Sequence, residues 1–212
     1  MKSFLLFLFF STISIIAYGQ TTYYVNETRA DNSGAGTSWA TAKKDLQNAM
    51  DTASAGDAIW VATGTYSPTA APDDSTADPR GRAFHLNKNL KIYGGFVGTE
   101  TMLSQRDWET NSTILSGDFS GNDTVSGSGS SLVITNNGEN AYHVFITTGL
   151  NSTTLIDGFT VKGGNADGSG NISYAGSSFS RDSGGGMVND YSSPSISNTI
   201  FSGNAAALVF KN

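Results

Sequence analysis

The chain has 212 residues and a formal net charge of −6, which is long enough for one sizeable domain and too acidic for nucleic acid or an anionic membrane surface. It contains no cysteine, which excludes disulfides, thiolate nucleophiles and thiolate metal sites. The 25 glycines and only 14% charged residues favour a turn-rich β protein, and the 38% hydrophobic content argues against disorder.

The N-terminal segment, residues 1–19, reads as a secretory signal peptide. One lysine is followed by apolar stretches at residues 4–10 and 13–16, and small residues occupy both ends of the triplet 17–19. An uncleaved membrane anchor is the alternative, but the apolar stretch is short and is interrupted by hydroxyl residues. We therefore expect export through a cleaved signal peptide, to the outer-membrane surface or the medium, with no membrane insertion of the mature chain.

Residues 20–112 are expected to form an N-terminal cap and the first coils of a repeat. Ala42, Leu46, Ala49, Met50 and Ala53 recur at helical spacing and predict one helix over residues 39–53. Its expected boundaries are an N-cap at Ser38 or Thr41 and an end at Gly56. Such a helix would cover the open end of a stack of strands.

Residues 113–212 are expected to form the repeat region, which ends at residue 212 as if truncated. The stretch TLIDGFTVKGGNA at 154–166 has a second copy in SISNTIFSGNA at 195–205. Ile156 matches Ile196 and Val161 matches Phe201, both 40 residues apart. GGMV at 185–188 and AALV at 206–209 are 21 apart, which indicates coils of about 20 residues and is typical of a solenoid.

The apolar runs in these copies are too short for helices and are bounded by turn residues. Because side chains alternate along a strand, Phe159 and Val161 should point inward while Thr160 points outward. Asn165 and Asn204 are expected at equivalent corners, where a residue that tolerates a left-handed conformation suits a sharp bend. The predicted fold is all-β, a right-handed parallel β-helix with an N-terminal capping α-helix.

The remaining segments divide into short strands and polar loops. The expected strands are 22–25, 58–61, 83–86, 90–96, 113–115, 132–135 and 143–147. The expected loops and insertions are 68–82, 99–111, 116–131 and 167–183.

Eight phrases together resemble a known family. They are YYVN, GTSWATA, AGDAIWVATGTY, IYGGFVGTE, RDWETNSTILSGD, LIDGFTVKGGNA, GGGMVN and SPSISNTIFSGN. This set is similar to the secreted right-handed parallel β-helix repeat proteins of Bacteroidetes type, which are related to the chlamydial polymorphic outer-membrane protein repeats. The resemblance covers nearly all of the mature chain. It implies a pectin-lyase-like β-helix at the cell surface, with adhesion or carbohydrate binding, and it implies no catalytic residues.

Two departures from the family pattern stand out. Residues 198–201, NTIF, place Thr199 inward and Ile200 outward where the family usually has Asn-Val-Thr-Phe. The chain also stops at Asn212, where another coil should begin, so that an N-terminal fragment is the expectation.

Extracellular β-helices include polysaccharide lyases and glycoside hydrolases, so catalysis is the main alternative. Asp118, Asp157 and Arg181 are the candidates for acid–base work, and Asp118 with Asp123 are the candidates for calcium, the one cofactor considered. The structural alternative is that these aspartates form turns within their own loops. The two histidines, at 85 and 143, are expected to be strand residues without a catalytic or metal role.

Aromatic side chains over polar neighbours are the feature that contacts sugars. Trp108, Tyr174 and Tyr191 are the ligand-binding candidates. The structural alternative is that Trp39 and Trp60 pack the capping helix and that Trp108 pins its own loop.

The sequence thus favours an exported, non-catalytic scaffold whose partners are glycans or cell-surface components. A polysaccharide lyase or glycoside hydrolase on the same fold is the second hypothesis, because fold alone does not separate the two. A truncated, non-functional remnant is the third.

Overall fold

The computed structural model describes residues 19–73, 77–174 and 176–207. Residues 1–18, which contain nearly all of the predicted signal peptide, lie outside this range, as do residues 208–209 of the AALV copy. Strands make up 34% of the described residues, which contain a single α-helix, so the expectation of a β-rich protein is confirmed.

The described strands are short and follow one another closely. The first nine are β1 (Thr22–Val25), β2 (Ala58–Ala62), β3 (Gly64–Tyr66), β4 (Phe84–Leu86), β5 (Lys91–Phe96), β6 (Thr113–Ser116), β7 (Thr124–Ser126), β8 (Val133–Thr135) and β9 (Phe145–Thr148). The other nine are β10 (Leu155–Asp157), β11 (Thr160–Lys162), β12 (Asn165–Ala166), β13 (Asn171–Tyr174), β14 (Ser177–Ser180), β15 (Met187–Asp190), β16 (Ser195–Ser197), β17 (Ile200–Phe201) and β18 (Ala205–Ala206). Helix α1 is Leu46–Thr52, and 3₁₀ turns occupy Trp39–Thr41, Pro79–Gly81, Leu103–Gln105 and Gly129–Ser131.

Most of the strands form three parallel sheets, and successive strands of the chain join these sheets in turn. Sheet I has the order β1-β2-β5-β10-β16, sheet II the order β17-β11-β6-β3, and sheet III the order β15-β9-β4. The chain passes from sheet I to sheet II to sheet III and returns to sheet I, first with β2, β3 and β4, then with β5, β6 and β9, and then with β10, β11 and β15. The short strands β12 and β18 form one further parallel pair.

The connections between the sheets differ in length in a regular way. Three long insertions leave sheet II and enter sheet III: residues 67–83, 117–144 and 163–186. The last two contain the antiparallel hairpins β7–β8 and β13–β14. One further excursion, residues 97–112, leaves sheet I and enters sheet II. The returns from sheet III to sheet I are short.

The core is built from inward side chains that stack in register. On sheet I, Ile59 pairs with Ile92, Ile92 with Ile156, and Ile156 with Ile196. The corresponding column on sheet II is Tyr66, Leu115, Val161 and Phe201. Full burial of such a side chain is worth about 1.5–3 kcal/mol, and only the last members of the two columns, Ile196 and Phe201, are exposed, at 43% and 45%. The predicted matches of Ile156 with Ile196 and of Val161 with Phe201 are confirmed.

Helix α1 contributes Leu46, Ala49 and Met50 to this same core, and it contacts β1, β2 and β4. β1 and β4 are edge strands of their sheets, so the helix covers edges that would otherwise be unpaired. The predicted helix over 39–53 is too long. Residues 39–41 form a separate 3₁₀ turn, which Ser38 caps through a hydrogen bond from the Thr41 N–H, and α1 starts after Asp45.

Three further expectations about the repeat are corrected. Coils of about 20 residues are wrong, because paired strands lie 40 residues apart from Ile156 to Ile196 and 64 apart from Ile92 to Ile156. Asn165 and Asn204 are not equivalent, because Asn165 pairs with Ala205. The left-handed positions at these bends are Gly163 and Gly203, with φ of 73° and 60°, because glycine adopts that conformation without a steric penalty.

The predicted outward position of Ile200 is confirmed, since it is 56% exposed beside the half-buried Thr160.

Two segments predicted as loops contain strands. Residues 116–131 contain β7, and residues 167–183 contain β13 and β14. The strand predicted at 132–135 pairs with β7 and not with any of the three parallel sheets. The ring contacts of Trp39 and Trp60 are with aromatic residues of β1 and β5. Both tryptophans pack with Tyr24 and Phe96, and Trp60 stacks on Phe96 at 4.7 Å between ring centroids.

Candidate functional site: a groove on the outer face of sheet II

The outer face of sheet II carries a flat row of side chains. Thr65, Ile114, Thr160 and Ile200 are aligned by the strand register, and Ser116 is aligned with Lys162 in the next row. These residues alternate with the buried Leu115 and Val161, so the sequence pattern itself directs them outward. Segments on both sides rise above this face and turn it into a groove.

The first wall is the excursion 97–112, and Arg106 fixes it to the scaffold. The Arg106 guanidinium donates to the carbonyl oxygens of Gly94 and Asp157 at 3.1 and 3.3 Å. It also forms an ion pair with the Asp157 carboxylate at 2.9 Å, where both side chains are about nine-tenths buried. Asn198 donates to the same carboxylate oxygen at 2.9 Å. The excursion is therefore held by β5 and β10, and Asn198 supports the carboxylate that holds it.

Two glycines allow this wall to lie directly on the sheets. Gly95 and Gly158 have φ of 91° and 86°, which favours glycine. A Cβ atom on Gly95 would lie 2.6 Å from Trp108 Cα, and one on Gly158 would lie 2.8 Å from Arg106 Nη1. Gly95, in IYGGF, and Gly158, in LIDGF, thus permit the close approach that places Trp108 at the groove edge.

Trp108 is half-buried and lines one lobe of the groove, a cavity of about 260 Å³. Its other lining residues include Glu109, Gly158, Thr160 and Asn198. The lobe therefore combines one indole with hydroxyl, amide and carboxylate groups.

The second wall is the start of the insertion 117–144, and Asp118 organises it. Asp118 Oδ1 accepts from the N–H groups of Ser120, Gly121 and Asn122, and Oδ2 accepts from that of Asp123 at 3.1 Å. The interpretation of Asp118 as a residue that forms a turn within its own loop is confirmed.

This wall closes a second lobe of about 400 Å³, lined by Ser116, Asp118, Asp123, Lys162 and Ser202 among others. Thr160 in the first lobe and Lys162 in the second are two residues apart on one face of β11. They are thus separated by roughly 7 Å along the strand. The two lobes are neighbouring parts of one groove, with an indole at one end and an ammonium group between carboxylates at the other.

Comparisons with models of known families, with curated proteins and with solved structures find no match.

The three catalytic candidates are not brought together. Asp118 lines the groove with its carboxylate occupied by backbone donors, and Asp157 is engaged by Arg106 and Asn198. Arg181 lies at the corner between sheets II and III, 3.7 Å from the Asp78 carboxylate and 5.1 Å from the Tyr142 ring centroid. Neither lobe of the groove is lined by more than one of these three candidates.

The three ligand-binding candidates are also separated. Trp108 lines the groove, whereas Tyr191 is 93% exposed and lines neither lobe. The expectation for Tyr174 is corrected: it is 2% exposed and donates its hydroxyl to the Gly81 carbonyl at 2.8 Å. It is buried because the hairpin β13–β14 folds back onto the scaffold.

The calcium candidates Asp118 and Asp123 do line the same lobe. Within the described ranges, no group of three or more His, Cys, Asp or Glu side chains is placed to hold a metal ion. The Asp118 oxygens already accept backbone hydrogen bonds, which leaves Asp123 as the carboxylate with free capacity.

Both histidines lie on or beside strands of sheet III. His143 is 1% exposed, its Nδ1 lies 3.2 Å from the Gly184 carbonyl, and burial lowers its pKa. His85 is half-buried, its Nε2 lies 3.0 Å from Thr148 Oγ1, and burial lowers its pKa as well. Neither lines the groove.

Lys162, Thr160 and Asn198 were not among the residues predicted for a site. The alternation in TVK does direct Thr160 and Lys162 outward, but the sequence contains no signal that two loops distant along the chain flank them.

A larger cavity, about 520 Å³, lies near the start of the described chain and contains Asp57. The Asp57 oxygens accept from the N–H groups of Thr21 and Ser54, both at 2.8 Å, so this carboxylate ties β1 to the turn after α1.

Among the described helices, none has the length and apolar character needed to cross a membrane.

Proposed function

We propose that this chain is an exported, non-catalytic scaffold that binds neutral glycans of a cell surface in the groove on sheet II. The observation that carries the proposal is the groove itself, with Trp108 at one end and a row of hydroxyl and amide groups leading to Lys162. The signal-peptide pattern at residues 1–19 supports export, and the resemblance to secreted β-helix repeat proteins supports a role at the outer-membrane surface.

The proposal includes a right-handed parallel β-helix. The rotation of strands through sheets I, II and III, together with the stacked apolar columns, supports it. The hand is proposed from the general preference of parallel crossover connections in twisted sheets. A coil of this kind presents flat, rigid faces, on which loops form walls without disturbing the core.

The chemistry of the groove suits a sugar chain. An indole face contacts the apolar side of a pyranose, and hydroxyl, amide and charged groups hydrogen-bond its hydroxyls. Asp118, Asp123 and Glu109 line the lobes, and the chain carries a net charge of −6, so an acidic polysaccharide would be repelled. Neutral glycans are therefore the proposed ligands.

The engaged state of Asp118 and Asp157 supports a binding role over a catalytic one, because neither is available as a proton donor or acceptor without breaking the loop that it holds. The second candidate function is a polysaccharide lyase or hydrolase. The observation that favours it is that Asp118, Asp123 and Lys162 line one lobe.

The test is retention of the secreted protein in gels that contain individual neutral polysaccharides, with Trp108→Ala as the key variant. Loss of one aromatic contact is expected to weaken binding by roughly three- to tenfold, about 0.5–1.5 kcal/mol. Tyr191→Ala is the matched control, because it removes an exposed aromatic ring outside the groove and should bind like the wild type.

Equal retention of wild type and Trp108→Ala on every polysaccharide that binds would contradict the proposal. The same polysaccharides are assayed for new reducing ends and unsaturated products. Turnover that disappears in Asp118→Ala and Lys162→Met would favour the enzyme instead.

A further inference from the structure

Three buried side-chain oxygens at the base of the second insertion have no hydrogen-bond partner. They are Asp123 Oδ1, Glu139 Oε1 and Asn140 Oδ1, and no donor of the described residues reaches any of them. An acceptor buried without a partner typically costs about 1–3 kcal/mol, and more when it is charged. Asp123 and Asn140 are joined by a hydrogen bond and Glu139 is next to Asn140 in the chain, so these three oxygens require a common explanation.

The side chains that carry these oxygens are neighbours. Asn140 is 1% exposed, and its Nδ2 donates to Asp123 Oδ2 at 2.8 Å. This bond fixes the orientation of the amide, so its Oδ1 is the atom left as an acceptor. Glu139 precedes Asn140 in the chain, and its charge acts on Asp123.

The backbone around these groups is held in place. The Asn140 N–H donates to the Asn137 carbonyl at 3.3 Å, and the Asn140 carbonyl accepts from Arg80 Nε at 2.7 Å. Asp123 is tied to the loop of Asp118 through its own N–H. The oxygens therefore belong to a supported turn and not to a free loop end.

The local charge is negative. The carboxylates of Asp118 and Asp123 line the same lobe as Lys162, and Glu139 directly precedes Asn140 in the chain. Buried charges in proteins are paired with an opposite charge or coordinate a metal ion.

We infer that Asp123, Glu139 and Asn140 form a binding site for a calcium ion at the edge of the second lobe of the groove. All three ligands are oxygens, two from carboxylates and one from an amide, which is the set that Ca²⁺ takes in proteins. The set contains no nitrogen or sulfur ligand and does not favour zinc or copper. The third ligand is an amide, so the site is not a cluster of acidic residues alone.

A bound cation at this position has a structural consequence. It would join Asp123, at the groove wall, to the turn 137–140 that leads into sheet III. The wall and the scaffold would then be linked through the ion, and the protein should be more stable with calcium than without it.

The experiment uses the whole secreted chain, freed of metal with a chelator and then titrated with CaCl₂. Thermal unfolding and isothermal titration calorimetry are the readouts. We expect one calcium per chain and a melting temperature that rises with calcium concentration, since a ligand that binds only the folded state stabilises it. Mg²⁺ at the same concentration should give a smaller shift, because it loses its water ligands reluctantly.

Asp123→Asn gives the sharpest contrast. The new amide can still accept from Asn140 Nδ2, and its NH₂ group offers a donor to the neighbouring oxygens. We expect this variant to be as stable as the wild type or more stable in chelator, and to show no calcium shift. Glu139→Gln should also lose the shift. Glu109→Gln removes the same charge from an exposed position of the Trp108 loop and should keep it.

A wild-type protein that binds no calcium in calorimetry overturns the inference, and this result does not depend on any variant folding. A calcium shift that persists in both Asp123→Asn and Glu139→Gln overturns it as well. Because the measurement contains no sugar, its outcome is independent of the proposed glycan binding.

Discussion

At the scale of single residues, the buried polar groups show how the excursions are attached to the coil. Arg106 and Asp157 illustrate this, because their ion pair joins a loop to a strand where little water reaches. Removal of one partner from such a pair typically destabilises a protein by about 3–5 kcal/mol, since the other charge is left buried. The sequence indicated Asp157 as a candidate for catalysis, and its burial against Arg106 identifies it as an attachment point instead.

His143 is the residue from which we expect sensitivity to mild acid. Burial lowers its pKa, Arg181 lowers it further, and the hydrogen bond to the Gly184 carbonyl raises it in part. Because the pKa in the folded state lies below that in the unfolded chain, the stability contributed by neutral His143 is present above about pH 6.5 and is lost as the pH falls through the folded-state value.

We therefore expect the melting temperature of the wild type to fall between pH 7 and pH 5, and the fall to be shallower in His143→Gln. The measurement is thermal unfolding followed by circular dichroism at several pH values. His85→Gln is the comparison, since His85 is only half-buried and should contribute less. An unchanged slope in His143→Gln would show that other groups set the acid sensitivity.

At the scale of elements, the hairpin β13–β14 is part of a second hydrophobic cluster. Ile172, Tyr174 and Phe179 from the hairpin pack with Tyr142 and Ile146 near sheet III. A Gly/Ser-rich composition made this segment look like an exposed loop, and alternation of its few apolar residues was the available sign of a strand. Its apolar positions are two apart, as a hairpin that covers one face requires.

Phe179→Ala is expected to destabilise the protein by about 3–5 kcal/mol, because it leaves a cavity in a packed cluster. Tyr174→Phe should cost less, about 0.5–1.5 kcal/mol, because it removes only the hydrogen bond to Gly81. Urea denaturation measures both. Ser173→Ala, on the exposed face of the same strand, should be nearly neutral, and equal effects for all three would mean that the hairpin is not docked as described.

At the scale of the whole molecule, one hydrophobic cluster runs from β1 to β11. It includes Val25 of β1, Leu46 of α1, Ile92 of β5 and Val161 of β11. Because this cluster is shared by all of these elements, we expect them to unfold as one unit.

Leu46→Ala tests this continuity. We expect it to destabilise the protein by about 2–5 kcal/mol and to lower the hydrogen-exchange protection of β11 by as much as that of β1. The measurement is native-state hydrogen exchange with mass spectrometry. Loss of protection confined to β1 and β2 would show that the N-terminal end opens separately.

The sequence predicted the parts of the fold that depend on local chemistry. Short apolar runs between turn residues located most strands, and the 40-residue match aligned Ile156 with Ile196 and Val161 with Phe201. It did not predict the length of a coil, because the insertions change the spacing without changing the pairing. For the groove it identified Trp108 and Asp118 but not Lys162, since their meeting depends on two loops that are distant in sequence.

The three long insertions all leave the coil at the corner between sheets II and III, and they contact one another there. Arg80 of the first donates to the Asn140 carbonyl of the second and pairs with Asp167 of the third at 2.6 Å. Apart from the excursion 97–112, variation in length is thus concentrated at this one corner, while the stacked isoleucines of sheet I keep their register. A protein built in this way can exchange the appendages of individual coils, and with them its surface specificity, while the frame that displays them stays the same.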